Sequence, residues 1–249
     1  MSEPVDLSPV RFAELVAPAV SRTFVAGMRA GGTEGRDLVT SYGGASVGYL
    51  IDLRNPLAAG RRLTPADLAA VYRYRNPDEV RATVRGGVAD GLLAEGPDGA
   101  VAAGDRGQEF LRDLFALHGR VLTERWRPQS WPVDRLNQVL TRVLAAAEET
   151  AGAAWAVQAP PYEPADAPPG VLLLNRLSTL RYHRADAHAA AWQAAGLTAA
   201  EMVAMPWGTD WSPQRRAVEQ ATNQRAAAPF AVLTAEERLT LLADLAALP

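Results

Sequence analysis

The chain has 249 residues, 48% hydrophobic and 21% charged, with a formal net charge of −3. Every cationic side chain is arginine, and neither lysine nor cysteine occurs. Those two absences exclude a Schiff-base or P-loop lysine, a thiolate nucleophile, disulfides, zinc–cysteine sites and cysteine-held iron–sulfur clusters. The near-neutral charge gives no global attraction to nucleic acid.

The start, Met1-Ser2-Glu3-Pro4-Val5-Asp6, is acidic and lacks the basic and apolar regions of a secretion signal. No window approaches the roughly 20 apolar residues of a membrane span, so the expectation is a soluble, cytoplasmic protein with no membrane partner. Apolar residues recur mostly every three or four positions, which predicts a mainly α fold. Ser8-Pro9 opens a helix carrying Phe12, Leu15, Val16 and Val20, and the glycine cluster at 31–35 is expected to break the chain. A second apolar segment over 38–53 is expected to stop at Asn55-Pro56.

Thr64-Pro65-Ala66-Asp67 starts a short helix bearing Leu68, Val71 and Tyr72, and Asn76-Pro77-Asp78-Glu79 forms a turn and a fresh helix N-terminus. Val80, Val84 and Val88 mark that helix. Residues 92–95 and 100–102, joined by Gly96-Pro97-Asp98-Gly99, read as a hairpin. A long helix follows through Phe110, Leu111, Leu114, Phe115 and Leu117, then another over 133–154. After the proline-rich stretch 158–170 come helical segments at 171–195, 213–228 and 234–247, the last opened by a Thr234/Glu237 capping box. The division this gives is an N-terminal helical segment (1–60), a second unit (61–126), a connecting helix (127–157), a linker (158–170) and a C-terminal helical part (171–249).

The order helix, turn, helix, hairpin, helix over 61–107 resembles the winged helix-turn-helix of MarR-class bacterial regulators. The fold expected is therefore mainly α, a winged helix-turn-helix element with a small β-wing embedded in a multi-helix bundle. The resemblance implies DNA as a candidate partner, a homodimer, and phosphate contacts from Arg73, Arg75, Arg81 and Arg85. Charge argues the other way: 61–107 holds seven arginines and seven acids, and the wing tip carries Glu95 and Asp98 but no arginine. A second resemblance covers the C-terminal part. Leu180-Arg181-Tyr182-His183-Arg184-Ala185-Asp186-Ala187-His188, then Val218-Glu219-Gln220-Ala221-Thr222-Asn223, then Ala228-Pro229-Phe230, are similar to the H-R-x-D-x-H, V-E-x-x-T-D and A-x-P-W pattern of a family of largely uncharacterised actinobacterial helix-turn-helix-type proteins. Gly48-Tyr49-Leu50 with Asn55-Pro56-Leu57 looks like that family's N-terminal signature. Asn223 departs from its usual Asp.

On a helix over 171–195, Leu173, Leu177, Leu180, Ala187 and Ala191 share one stripe, with Arg184 in its middle and His188 at its edge. A guanidinium there needs a carboxylate, carbonyls or an anionic ligand. Two readings stand: a structural ion pair with Asp186, Glu219 or Glu201, or a pocket in which Arg184 holds a carboxylate or phosphate and His188 handles a proton. Around that pocket His183, Glu219, Asn223, Trp192 and Tyr49 are the further candidate ligand-binding residues. His183 and His188 point about 140° apart, against the i, i+4 spacing of chelating pairs, so no metal and no cofactor are expected. Gly44-Ala45-Ser46-Val47-Gly48 matches the G-x-S-x-G nucleophile elbow, but no α/β sheet is predicted to carry it. Trp126 with Trp131, and Trp207 with Trp211, could line a pocket for a flat ligand or serve as core. The functional expectation is a small-molecule-binding winged-helix protein, a candidate ligand-responsive transcriptional regulator, whose ligand is a small organic anion. The alternative is a cofactor-independent enzyme of actinobacterial specialised metabolism, with His188 as acid or base, Arg184 as anion anchor, and Asp186 or Glu219 orienting the histidine.

Overall fold

In the computed structural model, which describes residues 7–205 and 211–249, the chain is mainly helical with a single two-stranded sheet among the described residues. Ser8 caps α1 (Pro9–Met28) by accepting from the Arg11 amide at 3.4 Å. The glycine cluster interrupts the chain less than expected. Gly32, at φ +54°, turns the backbone, and α2 (Gly32–Ser41) starts inside the cluster. The segment 38–53 is not one element either: it holds the end of α2, a 3₁₀ turn (Gly44–Val47) and α3 (Gly48–Asp52). Asn55-Pro56 does not stop it, because α4 (Arg54–Ala58) carries both residues in its first turn, where an amide hydrogen has no intrahelical acceptor to lose.

Next come α5 (Pro65–Val71), closed by a Thr64/Asp67 capping box, and α6 (Pro77–Ala89), capped by the Asn76 side chain. Strands β1 (Leu93–Glu95) and β2 (Val101–Ala103) pair antiparallel with Leu93 opposite Ala103, and Leu63 bridges Val101 on the other side. Helix α7 (Asp105–Arg125) follows. The helix predicted over 133–154 is two: α8 (Ser130–Ala147) ends in a 3₁₀ turn, and α9 (Ala153–Gln158) restarts after an extended Gly152. The remaining helices are α10 (Pro169–Ala194), α11 (Ala199–Ala204), α12 (Pro213–Ala226) and α13 (Ala235–Ala247), the last with the expected Thr234/Glu237 box.

One apolar cluster joins α1, the end of α7, α8, α10, α13 and the turn at Phe230. A second gathers α3 to α7 and the hairpin, and reaches Val157 of α9. A small third lies between the end of α10, α11 and α12 around Trp192, Met202 and Val218. Helix α10 runs through all this. Its residues Leu173, Leu174, Asn175, Leu177, Ser178, Thr179 and Leu180 are all buried, so it is enclosed on several sides rather than along one stripe. Residues 159–168 are tied down by Asn175 donating to the Tyr162 carbonyl (2.7 Å), by the Arg176–Glu163 ion pair (2.7 Å) and by Phe115 against Tyr162. No described helix is long and apolar enough to cross a membrane.

Candidate functional site

Where α5 meets α6, three consecutive side chains reach away from their own helices. Arg73 pairs with Asp186 on α10, Tyr74 meets His188 and Trp192 on α10, and Arg75 pairs with Asp52 on α3 at 3.3 Å while lying over the Tyr72 ring. This turn ties the hairpin side of the molecule to α10.

Asp186 is the more completely satisfied of the two carboxylates facing α10's neighbours. Besides Arg73 it accepts from the Ala154 and Trp155 amides, at 3.2 and 2.8 Å. These are first-turn amides of α9, which have no partner inside the helix, so Asp186 caps α9 from a distance. Gly152 is required there, since a Cβ would come within 2.6 Å of the Asp186 carboxyl carbon. Asp186 therefore does not orient His188; its sites are filled by structure.

Glu219, on α12, is arranged differently. It receives Arg215 at 3.2 Å, and sits 3.5 Å from His188 Nε2 and 3.6 Å from Arg184 Nη2. The last two are ion-pair distances too long for well-formed hydrogen bonds. Burial pushes its carboxyl up, yet His188, Arg215 and Arg184 together hold it below the usual range, so it stays ionised at neutral pH. Arg184 Nη1 is buried with no hydrogen-bond acceptor, and burial pulls this guanidinium down. His188 Nδ1 lies 2.6 Å from Tyr74 Oη, which also accepts from Trp192 Nε1 at 3.0 Å.

Arg184, His188 and Tyr74 line one cavity of about 250 Å³ between α1, α10 and α12, with Val16, Val20 and Phe230 among its apolar walls. Arg181 lines it too, lying over the Phe24 ring at 4.3 Å. Two much larger grooves lie elsewhere, of about 780 Å³ beside α7 and about 920 Å³ between α6 and the end of α10, and a pocket of about 270 Å³ opens on the other side of Tyr74 and Arg181, beside Asp52 and Tyr182. None of these gathers buried unpartnered polar atoms; the cavity between α1, α10 and α12 does, with Arg184 Nη1 and His188 Nε2, and for that reason it is the candidate site.

The other sequence candidates fall as follows. His183 lines the cavity but is nearly closed off: its Nε2 is 2.8 Å from Thr150 Oγ1 and its ring meets Trp155 edge-on. Tyr49 is not at this site. Its ring is buried in the α3–α7 cluster beneath Gly87, its carbonyl accepts from Tyr72 Oη, and its own hydroxyl has no partner. Asn223 stands one turn beyond Glu219 with a buried, unpartnered Oδ1. Trp192 belongs to the site through Tyr74. Of the four arginines expected on phosphate, Arg73 is spent on Asp186, Arg75 on Asp52 and Arg81 on Asp78; Arg81 and Arg85 are exposed on α6. The Gly44–Gly48 motif lies in a 3₁₀ turn with no strand before it. Trp126 is core, Trp131 is exposed over Arg135, and the expectation for the Trp207 pair lies outside the described residues apart from Trp211.

Tyr74, Arg181 and Arg215 were not expected here. Only long-range packing brings Tyr74 to a helix more than a hundred residues away, and nothing local signals it. A separate buried cluster joins Arg54, which reaches Asn175 at 3.4 Å, with Asn55 and His118; both side-chain polar atoms of Asn55 and Nδ1 of His118 lack partners. Among the described residues no three His, Asp or Glu side chains converge as metal ligands. No protein-family model, no curated protein and no solved structure matches the chain. The family resemblance rests on its sequence motifs alone.

Proposed function

We propose that the chain binds a small organic anion in the α1/α10/α12 cavity, on a winged helix-turn-helix scaffold formed by α5, α6, β1, β2 and α7. The observation that carries this reading is Arg184: a half-buried guanidinium with an unpartnered Nη1 on the wall of a cavity whose other lining mixes apolar side chains with Tyr74, Arg181 and His188. Arg181, Arg184 and Arg215 against Glu219 leave an excess of positive charge, which a carboxylate would offset. A charge-assisted contact to Arg184 would also give the stranded N–H its acceptor. The volume suits a ligand the size of a short or single-ring acid. Thermal-shift and calorimetric titrations with benzoate, salicylate and short 2-oxo acids test it. Binding weakened at least tenfold by Arg184→Ala, about 1.4 kcal/mol, is the expected result, and affinity unchanged by that substitution would place the ligand elsewhere.

The exposure of Arg81 and Arg85 on α6 favours a second reading, a dimeric regulator in which α6 enters a DNA groove. Against it, the α6 side that bears both arginines forms one wall of the groove closed by Trp192 and Gln193 of α10. Salt-dependent DNA binding lost in the double variant Arg81→Ala, Arg85→Ala, with a two-fold dimer by light scattering, would decide for the regulator.

A further inference from the structure

Beyond binding, and resting on the cavity just proposed, the geometry points to an activity: Tyr74, His188 and Glu219 form a proton relay that moves a carbon-bound proton of a compact 2-oxo acid. Trp192 Nε1 can only donate, so it occupies a lone pair of Tyr74 Oη, and the phenolic hydrogen is left for His188 Nδ1 at 2.6 Å. Glu219, on the Nε2 side at 3.5 Å, favours the tautomer with hydrogen on Nε2, which leaves Nδ1 free to accept. The arrangement is that of an activated oxygen, its base, and a carboxylate that orients the base. Tyr74 lines the cavity beside Arg184 and Arg181, and is itself about a third exposed.

The substrate class follows from these groups. Two arginines suit a carboxylate, and the small apolar walls suit a short hydrocarbon. A carbon next to a carboxylate alone is too weak an acid for this base, whereas a neighbouring ketone makes its C–H removable. The proton leaves C3 of the 2-oxo acid for Tyr74 Oη as the phenolic proton passes to His188 Nδ1. The C–H pair becomes the C2–C3 double bond and the carbonyl π pair comes to rest on oxygen, facing the arginines. Return of the proton to oxygen gives the enol, and return to carbon restores the ketone. No oxidant, reductant or co-reactant is consumed. Tyr74 is the catalytic residue, His188 its base, and Glu219 a positioning residue.

The test is hydrogen–deuterium exchange at C3 of pyruvate, 2-oxobutyrate and phenylpyruvate in D₂O, followed by NMR beside a thermal-shift titration of the same acids. Expected is exchange well above the buffer rate, reduced about a hundredfold in Tyr74→Phe and in His188→Gln, with the thermal shift kept in Tyr74→Phe. In Glu219→Gln, nitrogen NMR of His188 should show loss of the single Nε2–H tautomer. A thermal shift without exchange, or exchange that survives Tyr74→Phe and His188→Gln, overturns the relay and leaves the binding reading standing. No thermal shift with any of the three acids overturns the relay's substrate class, and if benzoate and salicylate also give none, the binding reading falls with it.

Discussion

Two carboxylates serve the polar contacts around α10, and they are built to different standards. Asp186 has a guanidinium and two backbone amides, all at hydrogen-bond distance, and a glycine opposite to make room. Glu219 faces two guanidinium groups and the His188 ring, with Arg184 and His188 at 3.6 and 3.5 Å, beside an arginine nitrogen that nothing satisfies and a cavity. Buried polar groups normally find partners. A station where every site is filled reads as construction, and one left short of acceptors reads as a place for something that comes and goes.

The sharpest way to break this contrast is Asp186→Ala. It strands the partly buried Arg73 and two first-turn amides of α9 at once, and should cost about 3–5 kcal/mol in urea unfolding. A cost below about 1 kcal/mol would mean that the filled station is dispensable. Next comes acid sensitivity at the other under-satisfied cluster. Burial and the Arg54 charge pull His118 down to about 4, while the unfolded chain titrates near 6.5. Between those values the unfolded state binds the extra proton, so stability is complete above about pH 6.5 and falls as pH drops toward 4, by about 3 kcal/mol in all. His118→Leu should flatten that slope in a pH series of denaturation curves, whatever it does to the plateau.

Arg184→Met supplies the opposite pole to Asp186→Ala. Removing a guanidinium with an unfilled N–H should change stability by no more than about 1 kcal/mol, in either direction, while abolishing anion binding. A loss comparable to that of Asp186→Ala would make the Glu219 station structural after all. The smallest effect belongs to the exposed α6 pair: Arg81→Ala with Arg85→Ala should leave unfolding within about 0.5 kcal/mol of the parent.

How much of this was legible in the sequence depended on distance along the chain. Local chemistry was readable: Ser8-Pro9 and Thr234/Glu237 start helices where expected, and turn residues announce the hairpin. Arg184, His188 and Glu219 could be grouped because two lie on one helix and a buried charge needs a counter-charge. Asp186 was misjudged because two of its partners are amides, which carry no sequence signature, from a helix 31 and 32 residues earlier, and the third, Arg73, lies 113 residues away. Tyr49 falls in the other cluster because its neighbours Tyr72 and Gly87 meet it only through packing, which no local pattern signals, and Tyr74 was overlooked because its contacts lie 114 and 118 residues away. The single-stripe view of α10 failed because a helix enclosed by several neighbours has no outward face from which to read a period.

Helix α6 has one further consequence. Its first end is clasped through the turn at Arg73–Arg75, and its last turn is seated where Gly87 lies against the Tyr49 ring, a contact no larger residue could make. Only Gly87 is fully buried along its 13 residues, while Val80, Val84 and Val88 lie half-buried against the second cluster and leave the opposite face open. Ala82, exposed near its middle, is open to decoration without disturbing either end. Because the parent chain contains no cysteine, Ala82→Cys would create a sole thiol for a fluorophore. That label would register any displacement of the helix when the clasp on α10 shifts.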